Sequence, residues 1–470
     1  MFRRLRARLE SSFSKSRLSN RRERSLQRQR RRLLMESLEQ RSLMAVNVDV
    51  LAGSLVVTDG SGVANDAVTM SLSGANVRVH DPGQSVVAGA GATQVDPNTV
   101  DVPLASITGD IQVNLLVGNS KLTLDLDGGD FIPAAGLTYQ ADDFNDVLQV
   151  EGGPQGTVTY NYTDSDDGSF VMSNFGTVTY AGLTSLRNLG PSTDITFNPP
   201  GASGGIVLED DGVLANGMTR IRPSSKTSPN AFVETDFLAL SGNVTIQGNT
   251  GSENITLSSA DSFFEPSLSV QGGGGSDTIT LSASASLTLS GGTGSLVLAA
   301  ENVTINGSAS SNTATITADN VAIGGAAAVS AATSVTIQPQ TVNRAIDLGT
   351  NTAGKLALTN AELDRITTPT LNLGSTSSGP IAITAGITRT AATDVNLVAG
   401  ADNDIEFQSA GGVTLNTTGG NASITTSGTG RILGGAASAD VIANTTHIDD
   451  RAGGCFWERN WHFRGQLARP

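Results

Sequence analysis

The feature that most constrains the fold is a run of short units, nearly all apolar–x–apolar, between Val335 and Thr425. They are Val335-Thr-Ile, Ile346-Asp-Leu, Leu356-Ala-Leu, Leu371-Asn-Leu, Ile381-Ala-Ile, Val395-Asn-Leu, Ile405-Glu-Phe, Val413-Thr-Leu and Ser423-Ile-Thr. Successive starts are separated by steps of 11, 10, 15, 10, 14, 10, 8 and 10, and Gly, Asn, Ser or Thr fills the gaps. Period-two alternation puts the apolar side chains on one face of a strand, and nothing recurs at the i, i+3, i+4 spacing of a helix. The spacing suits a chain that turns a corner after every short strand. Similar units run upstream, from Val244-Thr-Ile and Ile255-Thr-Leu through Ile279-Thr-Leu and Val303-Thr-Ile to Val321-Ala-Ile. Each buries little by itself and needs its neighbours.

Composition and charge narrow the class. Aromatic residues make up only 4% of the chain and 54 residues are glycine, which argues against a large aromatic core. The 38% of apolar residues alternate too regularly for simple disorder. The expectation is an all-β chain of thin stacked layers. One cysteine, Cys455, allows no intrachain disulfide. No apolar run reaches the length of about 18 residues that a spanning helix needs, so no transmembrane helix is expected. Residues 1–45 carry 14 Lys+Arg against 4 Asp+Glu, whereas residues 46–470 carry 15 against 40. An acidic body repels nucleic acid and gathers cations, so no nucleic-acid partner is expected.

In order along the chain, 1–45 reads as a basic export or sorting segment and 46–189 as a β-rich unit. Residues 190–235, with Pro191, Pro199, Pro200, Pro223 and Pro229, read as a loop-rich junction, because proline cannot donate to a central ladder. Residues 236–450 read as parallel β-helix repeats. Residues 451–470, with Trp457, Trp461 and Cys455, form an atypical tail. The tail is either a docking tag or the product of a truncated or shifted reading frame. All four tyrosines, Tyr139, Tyr160, Tyr162 and Tyr180, fall within 139–180. They could form a carbohydrate-stacking patch, but cross-strand packing is the favoured reading.

The motif with the most chemical content is Gly272-Gly-Gly-Gly-Ser-Asp277-Thr-Ile-Thr. It fits the Gly-Gly-x-Gly-x-Asp-x-apolar-x calcium repeat of parallel β-rolls. Glycines let carbonyls curl inward, and aspartates of successive turns supply carboxylate oxygens to the ion. Asp277 is therefore the candidate Ca²⁺ ligand, and Ca²⁺ is the one cofactor considered. Its nearest relative, Gly248-Asn-Thr-Gly-Ser-Glu253-Asn-Ile, lies well upstream rather than in the adjacent nonapeptide. The acidic triplet Glu209-Asp210-Asp211 could offer carboxylates to Ca²⁺, but a solvated turn is the favoured reading. Adjacent aspartates such as Asp166-Asp167 would point to opposite faces of a strand. The three histidines are far apart and no His-Glu-x-x-His is present, so no catalytic residues and no enzyme are expected.

Two resemblances give this reading an address. Leu38-Glu39-Gln40-Arg41-Ser42-Leu43-Met44-Ala45 resembles the Leu-Glu-Pro-Arg-x-Leu-Leu motif that opens large repetitive surface proteins of planctomycete type, with Gln40 replacing Pro and Met44 replacing Leu. It implies a sorting motif carried by Leu38, Glu39, Arg41, Leu43 and Ala45. The turn Gly118-Asn-Ser-Lys121 is similar to a Gly-Gly-Asn-Asp-type turn of the same proteins, with an acidic position lost. Leu356-Ala-Leu-Thr-Asn-Ala-Glu-Leu-Asp-Arg-Ile through Leu371-Asn-Leu-Gly374 resembles a repeat of filamentous-haemagglutinin-like exoproteins. In that family Ala361-Glu-Leu-Asp-Arg-Ile366 would be a turn between coils, and a helical turn there would bring Glu362 and Arg365 together.

The resemblances imply an extracellular, outer-membrane-associated right-handed parallel β-helix used in adhesion, surface layering or cell–cell contact. Its partners would be cell-surface or extracellular-matrix components, polysaccharide among them. The alternatives are a structural envelope protein without a specific ligand, and a β-helix polysaccharide lyase or hydrolase. The residues leave open whether 46–235 continues the solenoid or folds as its own unit.

Overall fold

The computed structural model describes residues 44–60, 65–116, 118–142, 145–201, 205–228, 230–238, 241–289, 294–408, 413–435, 439–450 and 463–468. They lie in one compact unit, Met44–Pro470. The fold is all-β, as expected. Its strands form three sheets, of 23, 14 and 5 strands.

The first strands pair mostly antiparallel. Met44–Leu51 lies against Ser54–Asp59, and Ala67–Ser73, Asn76–His80, Thr99–Pro103 and Thr93–Asp96 follow one another in antiparallel succession. From Ile111 onward parallel pairing dominates. In the widest sheet Asn243–Gln247, Ser267–Gln271 and Ser295–Ala299 are parallel neighbours, continued by the ends of Ser308–Thr317 and Ala328–Gln338. Thr370–Gly374, Asp394–Ala401, Ala422–Ser427 and Val441–Asp450 extend the same series. In the 14-stranded sheet Asn254–Leu257, Thr278–Leu281, Asn302–Ile305 and Asn320–Ile323 stack likewise. The five-stranded sheet runs Leu356–Thr359, Ile346–Gly349, Ile381–Ile383, Ile405–Phe407, Ile432–Leu433.

The register explains the irregular spacing of the apolar units. Leu371 pairs with Val395 and Asn372 with Asn396, a circuit of 24 positions, and Ile381 pairs with Ile405 at the same separation. The run from Val335 to Thr425 is therefore not one ladder. From Leu371 to Ile405 successive units are dealt alternately to two sheets, and the Val413 and Ser423 units both join the widest one. The short step from Leu371 to Ile381 and the longer one from Ile381 to Val395 are the two parts of one circuit. Val335 pairs with Leu371, and Thr336 with Asn372, across a wider separation of 36 positions, because Ile346–Gly349 and Leu356–Thr359 both lie between them.

Each circuit points small aliphatic side chains inward. Val244, Ile246, Leu268, Val270, Val335, Ile337, Leu371 and Leu373 are all at most 2% exposed. Burying each such side chain stabilises the fold by about 1.5–3 kcal/mol. The tyrosines are also buried. Tyr160 stacks on Phe197 at 5.0 Å between ring centroids and Tyr162 tilts against Phe232 at 4.8 Å, so they pack the interior and offer no surface to a sugar.

Two antiparallel excursions interrupt the parallel series. One is Gly156–Tyr162, Gly168–Met172 and Gly176–Ala181; the other is Ile206–Asp210, Met218–Pro223 and Glu234–Leu238. The stretch 190–235 thus carries strands. Ser192–Asn198 lies parallel to Gly156–Tyr162 on one side and to Asn243–Gln247 on the other. Pro199 and Pro200 follow a strand and Pro223 ends one, positions where a missing N–H is tolerated. In the tail, Phe463–Ala468 is a strand parallel to Val441–Asp450; Cys455, Trp457 and Trp461 lie outside the described residues.

Candidate functional site

The glycine-rich turn and Asp277 form a stacked corner. One circuit brings Gly272–Gly275 directly onto Gly248–Gly251, the related segment that the sequence places well upstream. The Gly274 N–H donates to Asn249 O at 2.6 Å, and the Ser276 N–H to Ser252 Oγ at 3.1 Å. Gly273 has φ +100°, and a Cβ there would sit 2.1 Å from Asn249 O. A Cβ on Gly272 would sit 2.4 Å from Asp277 Oδ2. The glycines are required by backbone lying on backbone and by the buried carboxylate folded against them.

Asp277 is fully buried, and its Oδ1 accepts the Glu253 N–H at 2.9 Å. The Asp277 N–H in turn donates to Glu301 Oε2 at 2.8 Å. Glu253, Asp277 and Glu301 each immediately precede a strand of the 14-stranded sheet. The side chain at this corner therefore caps the N–H of the equivalent corner one circuit earlier. The same device recurs upstream: the Ser120 N–H donates to Asp146 Oδ1 at 2.6 Å, and the Asp66 N–H to Ser120 Oγ at 3.4 Å. Ser120 thus occupies the lost acidic position of the Gly118–Lys121 turn and keeps the capping acceptor without the charge. Each such cap on a charged acceptor is worth about 1.5–3 kcal/mol.

The Ala361–Ile366 segment makes a second corner. Asn360–Leu363 is a single helical turn with a capping box: the Glu362 N–H donates to Thr359 Oγ1 and the Thr359 N–H to Glu362 Oε2. Glu362 and Arg365 do not pair as the sequence suggests. Both grip Ile323, where the 14-stranded sheet ends. The Ile323 N–H donates to Glu362 Oε1 at 3.2 Å, and Arg365 Nη1 donates to Ile323 O at 2.7 Å. Sequence reasoning missed Arg389. It is 2% exposed and donates through Nη1 to Leu363 O and through Nη2 to Ile366 O, which ties down the carbonyls leaving the turn. Burial lowers its guanidinium pKa, partly offset by Asp364. Nothing in Ile387-Thr-Arg-Thr marks this arginine as an interior residue.

Other acidic groups gather in two places. Asp164, Asp166 and Asp167 each place a carboxylate oxygen within 4.8 Å of the others, the one such group of three among the described residues. They lie on a turn between strands, so Asp166 and Asp167 share a cluster instead of facing opposite sides. Burial first, then Asp164 and Asp166, raise the Asp167 pKa. An open cavity of about 290 Å³ adjoins them, lined by Ser165, Asp166, Phe232 and the Lys226–Glu234 ion pair. The second place is interior. Burial, with Asp59 and Asp81 nearby, pushes the Asp66 carboxyl up to about 7, and burial raises Asp146 to about 6. Both Asp66 oxygens and Tyr139 Oη are buried without a hydrogen-bond partner. The triplet Glu209-Asp210-Asp211 is tied up locally: Glu209 forms a two-point pair with Arg222, and Asp210 and Asp211 accept N–H groups of their own turn.

Of the sorting-motif residues, Leu38, Glu39, Arg41 and Leu43 lie outside the described residues, and Ala45 falls in the strand Met44–Leu51. No helix among the described residues is long and apolar enough to cross a membrane. No family model matches this chain, and no curated protein or solved structure matches it.

Proposed function

We propose that the chain is a secreted or cell-surface parallel β-solenoid that acts in surface attachment or cell–cell contact, in the manner of an adhesin. The observation that carries this reading is the in-register parallel succession from Asn243 to Asp450, in which corner carboxylates cap backbone N–H groups. Such a chain presents a long repeating surface while its interior acidic residues serve the scaffold. We read the succession as a right-handed β-helix that takes in 46–235 as well, with the antiparallel excursions as arms on its circuits. The Leu38–Ala45 motif supports delivery to the surface. The partners would be cell-surface or matrix components, including polysaccharide.

The test is binding of the purified, fluorescently labelled chain to intact cells and to immobilised matrix polysaccharides. Saturable binding above that of an unrelated β-solenoid of similar charge is expected. Equal binding by the two proteins would leave only a structural role in the envelope. Limited proteolysis addresses the organisation: one resistant core from 46 to 450 is expected, and cleavage confined to 190–235 would mean two units.

A further inference from the structure

The outward face of the widest sheet is unusual for an acidic protein. Between Asn243–Gln247 and Ala422–Ser427, eight strands lie side by side in register. Their outward positions alternate with the buried aliphatic ones and are half-exposed almost throughout. The central column runs from Thr245 through Ser269, Val297, Thr315 and Thr336 to Asn372, Asn396 and Ser423. Asp394, at one margin, is the only charged residue at the outward positions of these strands. Residues 46–470 carry 40 Asp+Glu against 15 Lys+Arg. The other carboxylates of this region lie mostly at corners and in turns, with Asp347 and Glu406 on strands of the five-stranded sheet.

The side chains of this face are also ordered along the stack. Asn396 Nδ2 donates to Asn372 Oδ1 at 2.7 Å, Asn372 Nδ2 to Thr336 Oγ1 at 3.1 Å, and Gln338 Nε2 to Thr317 Oγ1 at 3.1 Å. Groups already fixed lose little freedom on association. No aromatic ring stands at these outward positions for a sugar to stack on.

We infer that this face pairs with the same face of a second copy of the chain. Two strongly acidic bodies repel each other wherever their corners meet, and this is the broad surface on which they can approach without opposing carboxylates. Its size is sufficient. Eight strands at ~4.8 Å by five residues at ~3.3 Å give roughly 600 Å² per copy, and two copies bury about 1,200 Å², the lower end for a specific interface. The adjacent outward face, from Asn254–Leu257 to Asn320–Ile323, is also uncharged but only four strands wide, at roughly 250 Å² too small to serve alone. A two-fold contact of face on face closes on itself. The inference stands on the face alone and does not depend on what the protein adheres to.

The experiment is sedimentation equilibrium of the full chain across the micromolar range at low and high salt. Reversible dimerisation that high salt leaves intact or strengthens is expected, because salt screens the acidic corners. Thr315→Lys with Thr336→Lys puts two unpaired ammonium groups into the contact and should weaken dimerisation about tenfold or more. Thr280→Lys, on the smaller face, should leave it unchanged. If the lysine pair shifts the melting temperature, Ser269→Lys with Asn396→Lys tests the same column. A wild-type chain that stays monomeric, lysine pairs that dimerise normally, or a dimer that salt dissociates would each overturn the inference.

Discussion

Replacing Asp277 separates a backbone cap from a calcium ligand. Its Oδ1 accepts the Glu253 N–H at 2.9 Å in a fully buried corner. Asp277→Ala removes a charge-assisted hydrogen bond and leaves a donor unsatisfied, a loss of about 1.5–3 kcal/mol. Asp277→Asn keeps the acceptor oxygen and exchanges the charged bond for a neutral one. It also relieves the burial of a charge beside Gly272, so its cost should be about 1 kcal/mol or less. The assay is thermal and urea unfolding of the wild type and both variants, each with Ca²⁺ and with chelator. The expected order of stability is wild type, then Asn, then Ala, unchanged by Ca²⁺. A wild type stabilised by Ca²⁺ and an Asn variant that is not would falsify the capping account, as would Asn and Ala variants of equal stability.

Two further outcomes follow from the interior charges. Arg389→Met orphans Leu363 O and Ile366 O, which at about 1–3 kcal/mol per buried acceptor outweighs the relief of burying a cation; faster amide exchange and proteolysis confined to 359–367 should report it, and uniform protection would refute it. Arg389→Lys should recover only part of the loss, because an ammonium cannot fork to two carbonyls. The Asp66 carboxyl, raised from 3.8 to about 7, binds its proton more tightly in the folded chain than in the unfolded one. Stability should therefore fall as pH rises from about 4 to 7 and level off above that. Asp66→Asn should flatten this slope, raising the melting temperature at pH 8 and leaving it nearly unchanged at pH 4; an unchanged slope would rule out Asp66 as the cause.

Strand content was legible because apolar–x–apolar units between turn formers admit little else. The partition into sheets was not. Val335, Ile346 and Leu356 look equivalent in the sequence, and only the three-dimensional length of a circuit assigns the first to one sheet and the others to another. For the same reason Gly248 and Gly272 seemed too far apart to cooperate, since the nonapeptide period of a β-roll was the wrong ruler for the longer circuit that pairs Asn254 with Thr278. At Asp277 the residue type was readable, but the N–H that it caps was not. A carboxylate at a glycine-rich turn has the same local sequence whether it receives a cation or an N–H from the neighbouring circuit. The hairpin arms within 190–235 were hidden by prolines that lie at strand ends. Arg389 carried no pattern, because burial of a lone cation is decided by the carbonyls of Leu363 and Ile366, far from it along the chain.

The seam at Ile323 has a mechanical consequence. There the 14-stranded sheet stops, and Glu362 and Arg365 on Ile323, with Arg344 on Asp319 and Asn320, hold its last strand by side chains in place of a continuing row of peptide hydrogen bonds. The widest sheet crosses the same level without a break, from Ala328–Gln338 to Thr370–Gly374. Under a pulling force the widest sheet is thus continuous at this level, while the 14-stranded sheet is fastened there by side chains alone. The chain should yield there by opening on one side, like a hinge, before any circuit unravels.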